Sequence, residues 1–165
     1  MSLGSFRIGE MEPATKSPDA IEGDRPHKPL LVFLDSSVIV GYLRGEATAV
    51  QLFSAEAKGQ IRFAVNAIVL QELLLVADAA SSPKFEHIRD HLRILPVDYK
   101  KAEGLLEKAR DLRNRIAHSN DILIFSSAND CDFLVTRDTA MKKLATADRP
   151  QVVTPEELVT QLRAA

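Results

Sequence analysis

The chain has 165 residues, 45% of them hydrophobic, which suits one domain with a sizeable core. A formal net charge of −2 excludes capture of nucleic acid by the field of the whole molecule, so any polyanion needs a local basic face. Cys131 is the one cysteine and no apolar run reaches the length of a membrane span, which excludes an intrachain disulfide and leads us to expect a reducing, cytoplasmic setting without a membrane role.

Residues 1–29 mix Gly, Pro, Ser and charges with no apolar period and no hydrophobic block of a signal peptide. They are expected to form a mobile leader that carries no chemistry, with one domain over residues 30–165. From Leu30 onward strand-like and helix-like segments alternate. "LLVFLD" predicts a strand, "SSVIVGYLRG" a helix up to Gly45, and "ATAVQLFSAEAKG" a helix that stops at Gly59. "IRFAV" is the next strand. "NAIVLQELLLVADAA" is the next helix, with Asn66 as its cap, and "SPKFEHIRDHL" another. "RILPV" predicts a strand over 93–97, followed by a long amphipathic helix from Asp98 to His118. Helix "NDILIFSSANDC", strand "DFLVTRD", helix "TAMKKLAT" and strand "QVV" follow, and Thr154 and Pro155 start the last helix. Strands alternating with helices predict a three-layer α/β domain with a mostly parallel sheet.

Four carboxylates stand at telling places in this order. Asp35 and Asp138 end strands, Glu72 lies in the apolar helix "IVLQELLLV", and Asp121 opens "NDILIF". Two readings stay open for each. Asp35, Asp121 and Asp138 are all suited to capping a helix, and Glu72 to a partly exposed helix face. Alternatively, acids at the carboxyl ends of parallel strands lie where ligands bind in open α/β sheets. An acid on an apolar face is costly unless paired or bound to metal, and no Lys or Arg obviously answers these four. Such a set suits a hard divalent cation, Mg²⁺ or Mn²⁺.

The stretches "VFLDSSVIVGYLRG", "VNAIVLQELL", "NDILIFSSANDCDFLVTRD" and the weaker "ILPVD" resemble the successive motifs of PIN domains, especially VapC-type toxin ribonucleases, over about residues 30–160. The resemblance implies a PIN-like α/β/α sandwich and a metal-dependent endoribonuclease. Its acids are matched by Asp35, Glu72, Asp121 and Asp138, with Asp35, Glu72 and Asp121 as the direct ligands of Mg²⁺ or Mn²⁺. Asp138 would hold a second ion or act through water. Thr136 matches the hydroxyl residue that orders the site in "TRD", and Ser37 stands where an Asn is often found. Arg44, Arg137 and Lys142 are the expected RNA contacts. The resemblance also implies a small antitoxin as partner and a homodimer, and "AVQLF" or "FEHIRDHL" is expected to supply the apolar surface.

Metal ions at such a site would activate a water and offset charge on the phosphate, reversing the local field of the acids. A catalytically inactive PIN-like module that binds RNA or protein is the alternative, and retention of all four acids favours catalysis over it. "RNRIAH" resembles the Arg-x4-His motif of HEPN ribonucleases, which would place a metal-independent site at Arg113 and His118 of an all-helical bundle. The strand-ending acids oppose that fold, and the two residues read better as a solvated helix end. His87 and His91 have the spacing of a zinc helix without its Glu and read as surface residues. Lys100, Lys101, Lys108, Arg110, Arg113 and Arg115 read mainly as a solvated helix face, part of which, with Lys142 and Lys143, could guide an RNA backbone.

Overall fold

Five apolar residues in succession make Leu30–Leu34 a strand (β1) that must be covered on both faces. In the structure, a computed structural model that describes residues 28–76, 81–111, 119–145 and 149–164, β1 is the middle strand of a sheet. In chain order the elements are β1, α1 (Ser36–Leu43), α2 (Ala47–Ala57), β2 (Ile61–Val65), α3 (Ala67–Leu75), α4 (Pro83–Arg89) and β3 (Arg93–Ile94). Then come α5 (Tyr99–Asp111), α6 (Ser119–Ala128), β4 (Phe133–Val135), α7 (Thr139–Lys142), β5 (Gln151–Val153) and α8 (Pro155–Ala164). The strands lie in the order β3-β2-β1-β4-β5, every neighbouring pair parallel, with helices flanking the sheet. The expected α/β architecture is therefore the one observed.

That order has a consequence for ligands. From β1 the chain builds outward to β2 and β3 on one side, then returns to lay β4 and β5 on the other. The order reverses between β1 and β4, and the crevice outside the carboxyl ends of two such strands is where open α/β sheets bind ligands.

Local chemistry sets the boundaries. Helices α1 and α2 each end on a glycine in the left-handed region, Gly45 at φ 79° and Gly59 at φ 74°. In both the two hydrogen bonds of a Schellman cap form: Gly45 N–H to Tyr42 O and Glu46 N–H to Gly41 O, then Gly59 N–H to Glu56 O and Gln60 N–H to Ala55 O. Strand β3 stops after two residues instead of the expected five. Leu95 N–H still donates to Val65 O at 2.8 Å, but Pro96 has no N–H to extend the ladder. Strand β4 likewise ends at Val135, so Asp138 does not end a strand as expected; it is the N-cap of α7.

The core gathers Val32, Phe33, Leu34, Ile39, Leu52, Phe63, Leu73, Ile124, Leu134 and Leu158, all buried. Each such large side chain contributes roughly 1.5–3 kcal/mol by leaving water. Tyr42 stacks on Phe53 with ring centroids 3.9 Å apart, and Phe53 meets Phe63 at 4.6 Å. The stretches expected to supply partner surface are therefore largely spent internally. Leu52 and Phe53 of α2, and Phe85, Ile88 and Leu92 around α4, are all buried, and of the apolar residues of "AVQLF" Val50 alone is exposed. The other large exposed apolar residues among those described are Leu30 of β1, Leu74 and Leu75 of α3, Ile94 of β3, and Tyr99 and Leu106 of α5.

Cys131 is buried and free, and burial, aided by the Asp130 and Asp132 carboxylates against Arg93, pushes its thiol up to about 12. Among the described residues no helix is long and apolar enough to cross a membrane. The expected leader, apart from Lys28 and Pro29, lies outside the described residues, as do Arg113, Arg115 and His118.

Candidate active site at the carboxyl ends of β1 and β4

Asp35 follows β1 directly, with its backbone N–H donating to Val135 O of the neighbouring β4 at 3.0 Å. Its backbone is extended (φ −75°, ψ 153°), as an N-cap of α1 requires, yet its carboxylate makes no capping bond to the helix. Instead Oδ2 accepts from Ser37 Oγ at 2.6 Å and from Thr136 Oγ1 at 2.9 Å. Asp35 is only 7% exposed, and among the described residues no ion pair reaches it. A buried carboxylate without a cation costs several kcal/mol, of which two charge-assisted hydrogen bonds return roughly 1.5–3 kcal/mol each. Both donors fall on Oδ2, so these bonds do not use Oδ1.

Thr136, fully buried, joins the two strand ends. Its hydroxyl donates to Asp35 and accepts from the backbone N–H of Asp138 at 3.0 Å. The Asp138 carboxylate is exposed and is used locally, Oδ1 accepting from Ala140 N–H at 2.7 Å to cap α7.

Glu72 is partly exposed on α3, and both its oxygens are held. Ser36 Oγ donates to Oε2 at 2.7 Å and Asn120 Nδ2 to Oε1 at 3.1 Å. Ser36 follows Asp35 and Asn120 precedes Asp121, so Glu72 is tied to the residues next to two of the other three acids. Asp121 lies partly exposed in the first turn of α6, where the helix field favours a negative charge. Beneath them Asn66, fully buried, caps α3 through Val69 N–H at 3.0 Å and also donates to Leu123 O and Ser127 Oγ, which locks α3 to α6. Neither Ser36 nor Asn120 was singled out from the sequence. The signal was adjacency to an acid, but a polar residue beside an acid is common, and the contacts with Glu72 span 36 and 48 residues.

The three basic residues expected near RNA differ. Arg44 is the exposed C-cap of α1, with no ion pair among the described residues. Arg137 pairs with Glu46 and lies 3.8 Å from Glu156. Gly41 leaves room for that pair: a Cβ there would stand 2.7 Å from a Glu46 oxygen. Lys142 is taken up by Glu157, both of whose oxygens lie within 2.8 Å of Nζ, and this bond holds the Glu157 carboxyl below its ordinary range.

The donor set is the one a hard divalent cation takes. Among the described residues no three His, Cys, Asp or Glu side chains stand together as a metal group, which also leaves His87 and His91 without the partners of a zinc site. Mg²⁺ does not require such a cage, since it keeps several waters and is commonly bound by one or two carboxylates plus substrate phosphate. The carboxylates present fit a site of that kind.

A parallel α/β sheet with a buried aspartate held by two hydroxyls at its switch point is the setting for the family assignment. The chain belongs to the PIN domain family, whose family model matches residues 32–147. In fold it is similar to VapBC2 from Rickettsia felis bound to a DNA fragment from their promoter, with TM-score 0.58 and 18% identity over 76% of this chain and 97% of that chain. It is similar to a toxin-antitoxin complex from Klebsiella pneumoniae (TM-score 0.55, 20% identity, 75% of this chain and 97% of that one). A third likeness is to FitAcB from Neisseria gonorrhoeae (TM-score 0.53, 16% identity, 76% and 98%). No curated protein matches the chain. The parallel sheet excludes the all-helical HEPN fold, whose two motif residues, Arg113 and His118, lie outside the described residues.

Proposed function

We propose that this PIN domain is a metal-dependent endoribonuclease and the toxin of a toxin–antitoxin pair. One observation carries the reading: at the sheet's switch point the buried Asp35 carboxylate declines the cap its position offers, has no cationic partner among the described residues, and is held by two hydroxyls. Asp35, with Glu72 and Asp121, would hold Mg²⁺ or Mn²⁺, and Asp138 would act on a second ion or through water. When bound, the cation lowers the pKa of a water and offsets charge on the phosphodiester. The chain's own part is orientation. Thr136 and Ser37 fix Asp35, Ser36 and Asn120 fix Glu72, and Arg44 offers a cation to RNA, while Arg137 and Lys142 are engaged by Glu46 and Glu157.

Fold likeness to a toxin-antitoxin complex supports an antitoxin as partner. The exposed apolar side chains of Leu74, Leu75, Ile94, Tyr99 and Leu106 supply area for it or for a second copy in a homodimer. A cytoplasmic location is part of the same reading.

The test is cleavage of RNA by the purified chain with Mn²⁺, with EDTA, and with Asp35→Asn. Cleavage should need the metal and fall roughly a hundredfold or more in the variant, the scale of losing one preorganised charge-stabilising group. Cleavage that survives both treatments overturns the assignment. RNA binding without cleavage by the native chain would make it the inactive binding module.

A further inference from the structure

The opposite end of the same sheet carries the opposite charge. Reading across the strand order, the amino ends present Arg93 at β3, Arg62 on β2, Lys28 before β1, Asp130 and Asp132 before β4, and Arg149 before β5. These six residues help line one cavity of about 570 Å³, within the roughly 300–1,000 Å³ typical of small-ligand clefts. A smaller adjoining hollow of about 400 Å³ shares Arg62 and Arg93.

The two acids are largely occupied. Asp132 accepts from Leu31 N–H at 2.9 Å and pairs with Arg149 at 3.3 Å, while Lys101 holds Asp130, with Nζ 3.2 Å from both oxygens. Arg62, Arg93 and Lys28 are exposed and have no ion pair among the described residues. In a chain with an overall charge of −2, three uncompensated cations therefore converge on one concavity. Two guanidinium groups there can grip phosphate oxygens in pairs, which an ammonium cannot do.

We propose that this cavity is a second ligand site, for a phosphate-class anion carrying two or more negative charges, remote from the acids at the carboxyl ends. The site does not depend on the ribonuclease reading.

The test is calorimetric titration of the full chain with pyrophosphate in EDTA, at fixed ionic strength, with chloride as the control anion. Arg62→Gln with Arg93→Gln should weaken binding on the order of tenfold or more, because it removes both bidentate donors. Both residues are exposed, so the fold should survive. Arg149→Gln gives an independent second reading, weakening binding by loosing Asp132 into the cavity. Asp130→Asn should tighten binding severalfold, and Asp35→Asn at the other end should leave it unchanged. Failure of pyrophosphate to bind the native chain, equal binding by the double variant, or loss of binding in Asp35→Asn would each overturn the site. Competition then assigns the source of the phosphate within a supported site. Displacement by a 5′-phosphorylated dinucleotide alone points to a terminal phosphate, displacement also by the unphosphorylated one to backbone phosphate, and displacement by neither to a free anion.

Discussion

Strands β1 and β4 are parallel neighbours, and each leads into a helix whose N-cap is an aspartate. The β4–α7 junction uses its acid locally: Asp138 is exposed, and its carboxylate binds the Ala140 N–H two residues on. The β1–α1 junction makes no such bond to the helix backbone. Asp35 is buried, its backbone alone starts the helix through Val38 N–H to Asp35 O at 3.1 Å, and its carboxylate is turned to the Ser37 hydroxyl and to Thr136, the residue after β4. Residue type and capping position are the same at both junctions, although Asp35 follows its strand directly and Asp138 comes after Thr136 and Arg137. What separates a helix cap from a ligand candidate is where the carboxylate oxygens go.

The largest expected effect tests that separation through metal binding. If Asp35 holds a cation, Mn²⁺ should stabilise the native chain, by about 2.7 kcal/mol at a hundred times its dissociation constant. For a domain of this size that is roughly 5–10 °C in midpoint. Asp35→Asn should cost the metal-free protein little stability, since it removes a buried charge, and its response to Mn²⁺ should shrink. Thermal melts of both proteins with and without Mn²⁺ measure this, and equal shifts would reduce Asp35 to a cap.

A smaller effect belongs to the hydroxyl that links the junctions. Thr136→Val keeps the shape but leaves Asp35 one donor short in a buried place and removes the acceptor for Asp138 N–H. The expected cost is about 1–3 kcal/mol of stability, and cleavage should fall roughly 10–100-fold, as when a ligand loses its orienting partner. A variant that melts and cleaves like the native chain would mean that the two junctions are independent.

Much of this was legible in the sequence and some was not, for physical reasons. Period, β-branched runs and glycine stops marked each described strand and helix from Leu30 onward, because these signals are local. Strand β3 was read too long because the apolar run "RILPV" outweighed the missing N–H of Pro96. Sheet order was not readable, since parallel pairing joins distant segments, and with it went the switch point between β1 and β4. The site shows the same limit. Asp35 could be read as cap or ligand, but the bond that distinguishes the two comes from Thr136, 101 residues away. The apolar side chains of "AVQLF" read as surface because nothing local shows that α2 packs against α8, where Gln51 Oε1 accepts from Arg163 at 2.9 Å.

The smallest effect concerns the other acid. Helix α7 has four residues, too short to hold by propensity, and rests on the buried Met141, the Lys142–Glu157 pair and the Asp138 cap. Asp138→Ala should therefore lower stability by about 1 kcal/mol, the usual value of a cap, or roughly 2–5 °C in midpoint. Asp138→Asn should restore nearly all of it, because Asn caps as well as Asp, and should keep most of the Mn²⁺ response that Asp35→Asn loses. Melting the two Asp138 variants beside Asp35→Asn, each with and without Mn²⁺, reads both quantities at once. Should Asp138→Asn forfeit the Mn²⁺ shift as fully as Asp35→Asn, then the capping bond to Ala140 does not keep that carboxylate from the cation. The two junctions would then act as equal halves of one site.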